Sequence, residues 1–267
     1  MPALEQVSYS RSSCITAVRG YYSFLASMYL DPSIIAEPPE DGWPDIDQDA
    51  LGDLKKTDEV IVLLRHLPYI REPPTGIRIF AGPHCHFTDW ERESRSLRNG
   101  EVHPSEIKVL TEGAEYSDQV PAHVIGLAIG NRNAPVILLD TLLGVVYWDG
   151  CPTEVRKAHE SEEIFDDPYD WAPQNEAEWR ADAACWPVAT FFDVLKSHFL
   201  NLSFVPISPT EILDEYETLR PDFRGMIPML QQVYREHHWP DLSRYCKADC
   251  LSAVESALRE RYPQFPI

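Results

Sequence analysis

Residues 123–150, HVIGLAIGNRNAPVILLDTLLGVVYWDG, constrain this chain more than any other stretch. Three runs, HVIGLAIG, PVILLD and GVVYWDG, are rich in Val, Ile, Leu and aromatic residues, the types that fit a pleated, buried surface. The connections between them, NRNA and TLL, are too short to hold the helix of a parallel crossover. The runs therefore read as neighbouring antiparallel strands, the last two as a hairpin. GIRIFA (76–81) and EIKVLTE (106–112) read as two more strands.

Helical spacing surrounds this block. Ile15, Val18, Tyr22, Leu25, Met28 and Tyr29 recur on one face of a helix that Ser12 or Ser13 can cap, ending at Asp31-Pro32. The Pro- and acid-rich stretch 36–49 reads as loop. Thr57 can cap a second helix that stops at Pro68. PVATFFDVLKSHFLNL (187–202) carries Phe191, Phe192, Leu195, Phe199 and Leu202 on one face, as a helix packed on a sheet would. SPTEILDEYETL (208–219), a segment from Pro221 to before Pro240, and residues 241–261 read as further helices. The pattern predicts an α+β protein. A mostly antiparallel central sheet flanked by helices spans 1–205, and a helical C-terminal extension, 206–267, packs on that body.

The net charge is −20 over 267 residues, and −17 of it falls on the first 205. Residues 159–179 hold eight acidic side chains and no lysine or arginine, and read as a surface loop anchored by Phe165, Tyr169 and Trp171. So acidic a body repels phosphate, which argues against nucleic acid and anionic membrane as partners. No stretch approaches the apolar length of a membrane span, and the first residues lack the apolar segment of a secretion signal. With six scattered cysteines and no CxxC pair, the expectation is a reduced, cytoplasmic protein.

Of the residues that could carry chemistry, GPHCHFTDWE (82–91) is the densest group. His84, His86 and Glu91 have the spacing of a cupin ligand set, in which one strand presents both histidines on the same face. The charged RESRSLRNG that follows is not the apolar strand such a site needs, so surface or edge-strand histidines are the competing reading. Cys246 and Cys250, one turn apart with His237 and His238 upstream, read as small apolar residues on a core-facing stripe rather than as a zinc site. There is no GxSxG elbow, phosphate-binding glycine loop, GxGxxG or HExxH. No cofactor follows from the motifs.

The 123–150 block resembles the SUKH superfamily, which includes fungal cell-wall-synthesis regulators and bacterial toxin-immunity proteins. The resemblance lies in a strand ending near Gly130, a polar turn at 131–133, a strand carrying Leu138, Leu139 and Asp140, and a strand ending in Trp148 and Asp149. VATFFDVLKSHFLNL is similar to the family's terminal helix, and HLPYIREPP and FTDW resemble segments of fungal members. The likeness covers residues 15–205. It implies a fungal, non-catalytic protein-binding or regulatory module whose polar turns line an open groove. An acidic face suits a partner with a basic surface. Asp89, Trp90, Trp148 and Asp149, acidic and aromatic groups near strand ends, are the interaction candidates, with aromatic capping of the core as their other reading. An enzyme using His84, His86 and Glu91, with or without metal, is the alternative. A scaffold dimerising through Ile227, Leu230, Val233 and Tyr234 is a third possibility; that stripe could equally pack on the chain's own body.

Overall fold

The computed structural model describes residues 1–73, 76–130, 134–217 and 220–265. Its centre is a four-stranded antiparallel sheet of β3 (Val124–Gly126), β4 (Val136–Asp140), β5 (Val145–Asp149) and β6 (Ala184–Pro187), in that order. Strands β1 (Ile35–Ala36) and β2 (Tyr69–Ile70) pair apart from it, as do β7 (Phe204–Ser208) and β8 (Glu211–Asp214). The helices are α1 (Arg11–Met28), α2 (Gln48–Leu51), α3 (Asp58–His66), α4 (Trp90–Arg98), α5 (Pro104–Glu112) and α6 (Thr153–Ala158). They continue with α7 (Pro168–Trp171), α8 (Gln174–Asp182), α9 (Val188–Leu200), α10 (Met226–Glu236) and α11 (Lys247–Arg261). The fold is α+β with a central antiparallel sheet.

Strand alternation divides the core. Ile125, Ile137, Leu139, Val146, Trp148, Ala184 and Trp186 face the larger cluster, which α1 and α9 fill with Tyr21, Leu25, Phe191, Phe192 and Phe199. The alternate residues Val124, Leu138, Val145, Tyr147 and Cys185 face a smaller one with Trp179 of α8. Each sheet face is thus covered, and the expected hairpin forms over 136–149, with Ile137 opposite Trp148 and Leu139 opposite Val146.

Several local expectations are corrected. Residues 106–112 form helix α5, not a strand: Pro104 starts it, His103 caps it through Ser105, and the buried stripe is Ile107 and Thr111, one turn apart. Residues 76–81 form no ladder; the nearest pairing is the bridge Gly82–Cys85, and Phe87 bridges Ala128 beyond β3. Residues 204–214 are a hairpin, because Ser208 Oγ accepts from Thr210 N in the turn instead of capping a helix. The C-terminal extension therefore opens as β-structure. Two of its bonds reach earlier helices: Tyr245 Oη donates to Met28 O at 2.7 Å and Trp239 Nε1 to Phe199 O at 3.0 Å. Ile227, Leu230 and Tyr234 are buried in this packing, which leaves little of the proposed dimer stripe exposed.

Ser10, not Ser12 or Ser13, caps α1, accepting from Ser13 N, whereas Thr57 caps α3 as expected. The acidic stretch 159–179 is not one loop but carries α7 and most of α8, and its anchors are not Phe165, Tyr169 and Trp171, which are 73%, 64% and 37% exposed, but Ile164 and Trp179. Cys250 is buried in α11, while Cys246 at its start is exposed. Among the described residues, no helix is long and apolar enough to cross a membrane.

Candidate functional site

A cleft of about 540 Å³ opens where the β4–β5 end of the central sheet meets the β7–β8 hairpin. Its walls come from four places: the C-terminal end of α5 with the turn after it (Leu110, Tyr116), the paired strand ends (Val136, Asp149), the hairpin (Phe204, Asp214) and the loop holding His84. One close approach sets the first wall. A Cβ on Gly126 would lie 2.1 Å from Thr111 O, so only glycine in β3 lets the end of α5 sit this near the sheet. The second and third walls follow from register, since Val136 pairs with Asp149 and Phe204 with Asp214.

The lining is acidic and aromatic. Glu115, Asp149, Asp214 and Glu217 contribute carboxylates, and Tyr116, Trp148 and Phe204 contribute rings. Among the described lining residues there is no lysine or arginine. Asp149 accepts from Tyr116 Oη at 2.8 Å, and Glu217 Oε1 lies 2.7 Å from His84 Nε2 at the rim. Asp214 is 5% exposed. Its Oδ1 accepts from Tyr216 N at 2.9 Å, and no hydrogen bond among the described residues reaches Oδ2. Burial pushes its carboxyl up to about 6; the Tyr216 N–H opposes the rise and the Glu217 charge adds to it. Trp148 Nε1 is buried without an acceptor, the one such atom among the described residues that line this cleft.

The residues singled out from sequence divide between structure and site. Trp148 and Asp149 line the cleft. Asp89 and Trp90 do not present themselves for contact. Asp89 caps α4 through Arg92 N and pairs with Arg71 at 2.5 Å, and Trp90 is 1% exposed, donating to Gly126 O at 3.0 Å. FTDW thus ties α4 to β3.

His84, His86 and Glu91 point to three different partners. His84 meets Glu217, His86 Nδ1 lies 3.1 Å from Ile79 O with its ring on Phe80, and Glu91 pairs with Arg71 at 2.7 Å and Arg95 at 3.0 Å. Burial holds His86 below the usual imidazole range. Among the described residues no group of three metal-ligating side chains converges.

A second cluster had no sequence signal. Ser197 Oγ is 2.9 Å from His159 Nε2, and His159 Nδ1 is 2.7 Å from Glu162 Oε2, the order of a nucleophile, a base and an orienting acid. Ser197 Oγ also donates to Val194 O at 2.7 Å within α9. In the body of a helix the backbone N–H groups are committed to the preceding turn, so none is free there to hold an oxyanion. The arrangement fixes the acidic segment to α9. Models of known protein families, curated proteins and solved structures give no match to this chain.

Proposed function

We propose that this protein is a non-catalytic, cytoplasmic binding module of SUKH-like type, from a fungal source, whose partner is a protein with a basic surface. The observation that carries this reading is the cleft. It is large enough for side chains of a partner, and its described lining is acidic with no matching Lys or Arg of its own. The net charge of −20 extends the same preference over the surface and would speed encounter with a cationic partner. An enzyme built on His84, His86 and Glu91 has no geometry behind it, because the three side chains are engaged separately.

Affinity capture from the native host at low and high salt tests the reading. The expected result is a basic protein, recovered reproducibly at low salt, weakened at high salt and weakened again by Asp149→Asn. Recovery of no reproducible basic partner in either condition would overturn it.

A further inference from the structure

We infer that His159 is a pH-sensitive clasp. With hydrogen on both ring nitrogens it ties the turn after α6 to α9, and on losing one proton it gives up part of that tie.

The hydrogens of this cluster can be counted. Ser197 has one hydroxyl proton, and its Oγ lies 2.7 Å from Val194 O, a carbonyl that only accepts. With the proton placed there, Ser197 Oγ meets His159 Nε2, 2.9 Å away, as an acceptor, so Nε2 carries a hydrogen. Across the ring, Nδ1 lies 2.7 Å from Glu162 Oε2, and an ionised carboxylate also only accepts. An imidazole donating from both nitrogens is an imidazolium. The same count removes Ser197 as a nucleophile, because a triad serine gives its hydroxyl proton to the histidine.

The surroundings suit the charge. Ser197 is in the last turn of α9, the negative end of the helix dipole. Glu160 and Glu162 share the turn with His159, and Glu163 pairs with Arg156 of α6 at 2.8 Å. On α9, Lys196 is engaged by Asp193 at 3.1 Å, and the His198 ring lies 5.3 Å from that of His159, with Tyr216 beyond it at 6.0 Å. His198 is 3% exposed, and burial, with His159 adding to it, pushes it down to about 4. It therefore stays neutral through the range in which histidines ordinarily titrate and adds no repulsion.

Deprotonation removes a bond whichever nitrogen is left bare. If Nε2 loses its hydrogen, the Ser197 hydroxyl can turn from Val194 O to the bare nitrogen, and three bonds become two. If Nδ1 loses its hydrogen, nitrogen and carboxylate face each other with none between them, which costs more. The neutral ring should therefore keep its proton on Nδ1. Loosening stops at Ile164, whose N–H bonds Cys185 O in β6 at 2.8 Å.

The test uses the full chain between about pH 5.5 and about pH 9, either side of the ordinary imidazole value. Ring nitrogen-15 spectra, with His159 assigned by its absence from His159→Gln, should show hydrogen on both nitrogens at the acid end and on Nδ1 alone at the alkaline end. The Glu162 and Glu163 amides bond His159 O and Glu160 O. Their protection against exchange should fall about tenfold over the range, while that of Ile164 holds. His159→Gln should abolish the fall and Ser197→Ala should reduce it, with thermal melts confirming that both variants are folded.

A neutral ring protonated at Nε2 would overturn the inference. So would protection that does not change with pH, an equal fall at Ile164, or a fall that survives in folded His159→Gln.

Discussion

Asp140 and Asp214 are both buried carboxylates at strand ends, yet they sit in opposite states. Asp140 is fully enclosed and satisfied: Arg180 reaches Oδ2 at 2.9 Å, and the Leu142 and Leu143 N–H groups donate to Oδ1 at 2.9 and 2.8 Å. Burial alone would raise its pKa, but His123, Arg180 and the Leu143 N–H outweigh that, and the carboxyl lies below its ordinary value. Among the described residues Asp214 bonds a single backbone donor and no Lys or Arg, and burial wins. The contrast separates an interaction that the chain completes for itself from one that it leaves open. The first belongs to the fold; the second is a desolvated charge that lowers stability until it takes a proton or meets a cation.

The comparison breaks first at Arg180. Arg180→Ala leaves Asp140 and Glu176 buried without their cation, and should destabilise the protein by about 3–5 kcal/mol in urea unfolding. A loss below about 1 kcal/mol would mean that the Asp140 cluster is as dispensable as a surface pair.

Asp214→Asn should act in the opposite direction, stabilising the protein by about 1–3 kcal/mol at pH 8. The folded-state pKa of about 6 lies above the ordinary value of 3.8, so the native protein holds this proton more tightly than the unfolded chain. That contribution to stability is fully present below the ordinary value and is lost as pH rises through about 6. The charges acting on Asp214 are Glu217 and Glu154, which favour the proton, and His84, which opposes it. The advantage of the asparagine variant should therefore grow between about pH 4 and pH 7 and then level off. Unfolding midpoints across that range would show it, and a flat difference would count against the open-site account.

Trp90→Phe provides a smaller effect with a sharper distinction. It removes the bond to Gly126 O and should cost about 1–2 kcal/mol of stability without changing affinity for the captured basic partner. A change in affinity with little change in stability would return FTDW to the interaction surface. Smallest of all, Glu178→Gln should shift stability by no more than about 0.5 kcal/mol.

The hairpin 136–149 was legible in sequence because β-rich runs joined by a short turn act locally, and the structure forms it. Residues 106–112 misled because Ile107 and Val109 alternate like a strand, while Pro104 and His103 had already started a helix and left Val109 exposed. EILDEYE misled in the other direction: its acidic residues suit a helix, but pairing of Ile212 and Leu213 with the 204–208 strand prevailed.

The site was legible only in part. Trp148 and Asp149 belong to the readable hairpin, and His84 stood out by residue type. Asp214 and Glu217 did not, since their place depends on a tertiary meeting of two hairpins that leaves no local pattern. The polar turn at 131–133, expected to line the groove, lies outside the described residues; Gly130 and Ala134 on either side of it do line the cleft.

The most direct measurement is the titration of the Asp214 carboxyl carbon by nuclear magnetic resonance in the folded protein. Burial in the cleft wall should give it a pKa of about 6. A value in the ordinary aspartate range would contradict the contrast with Asp140.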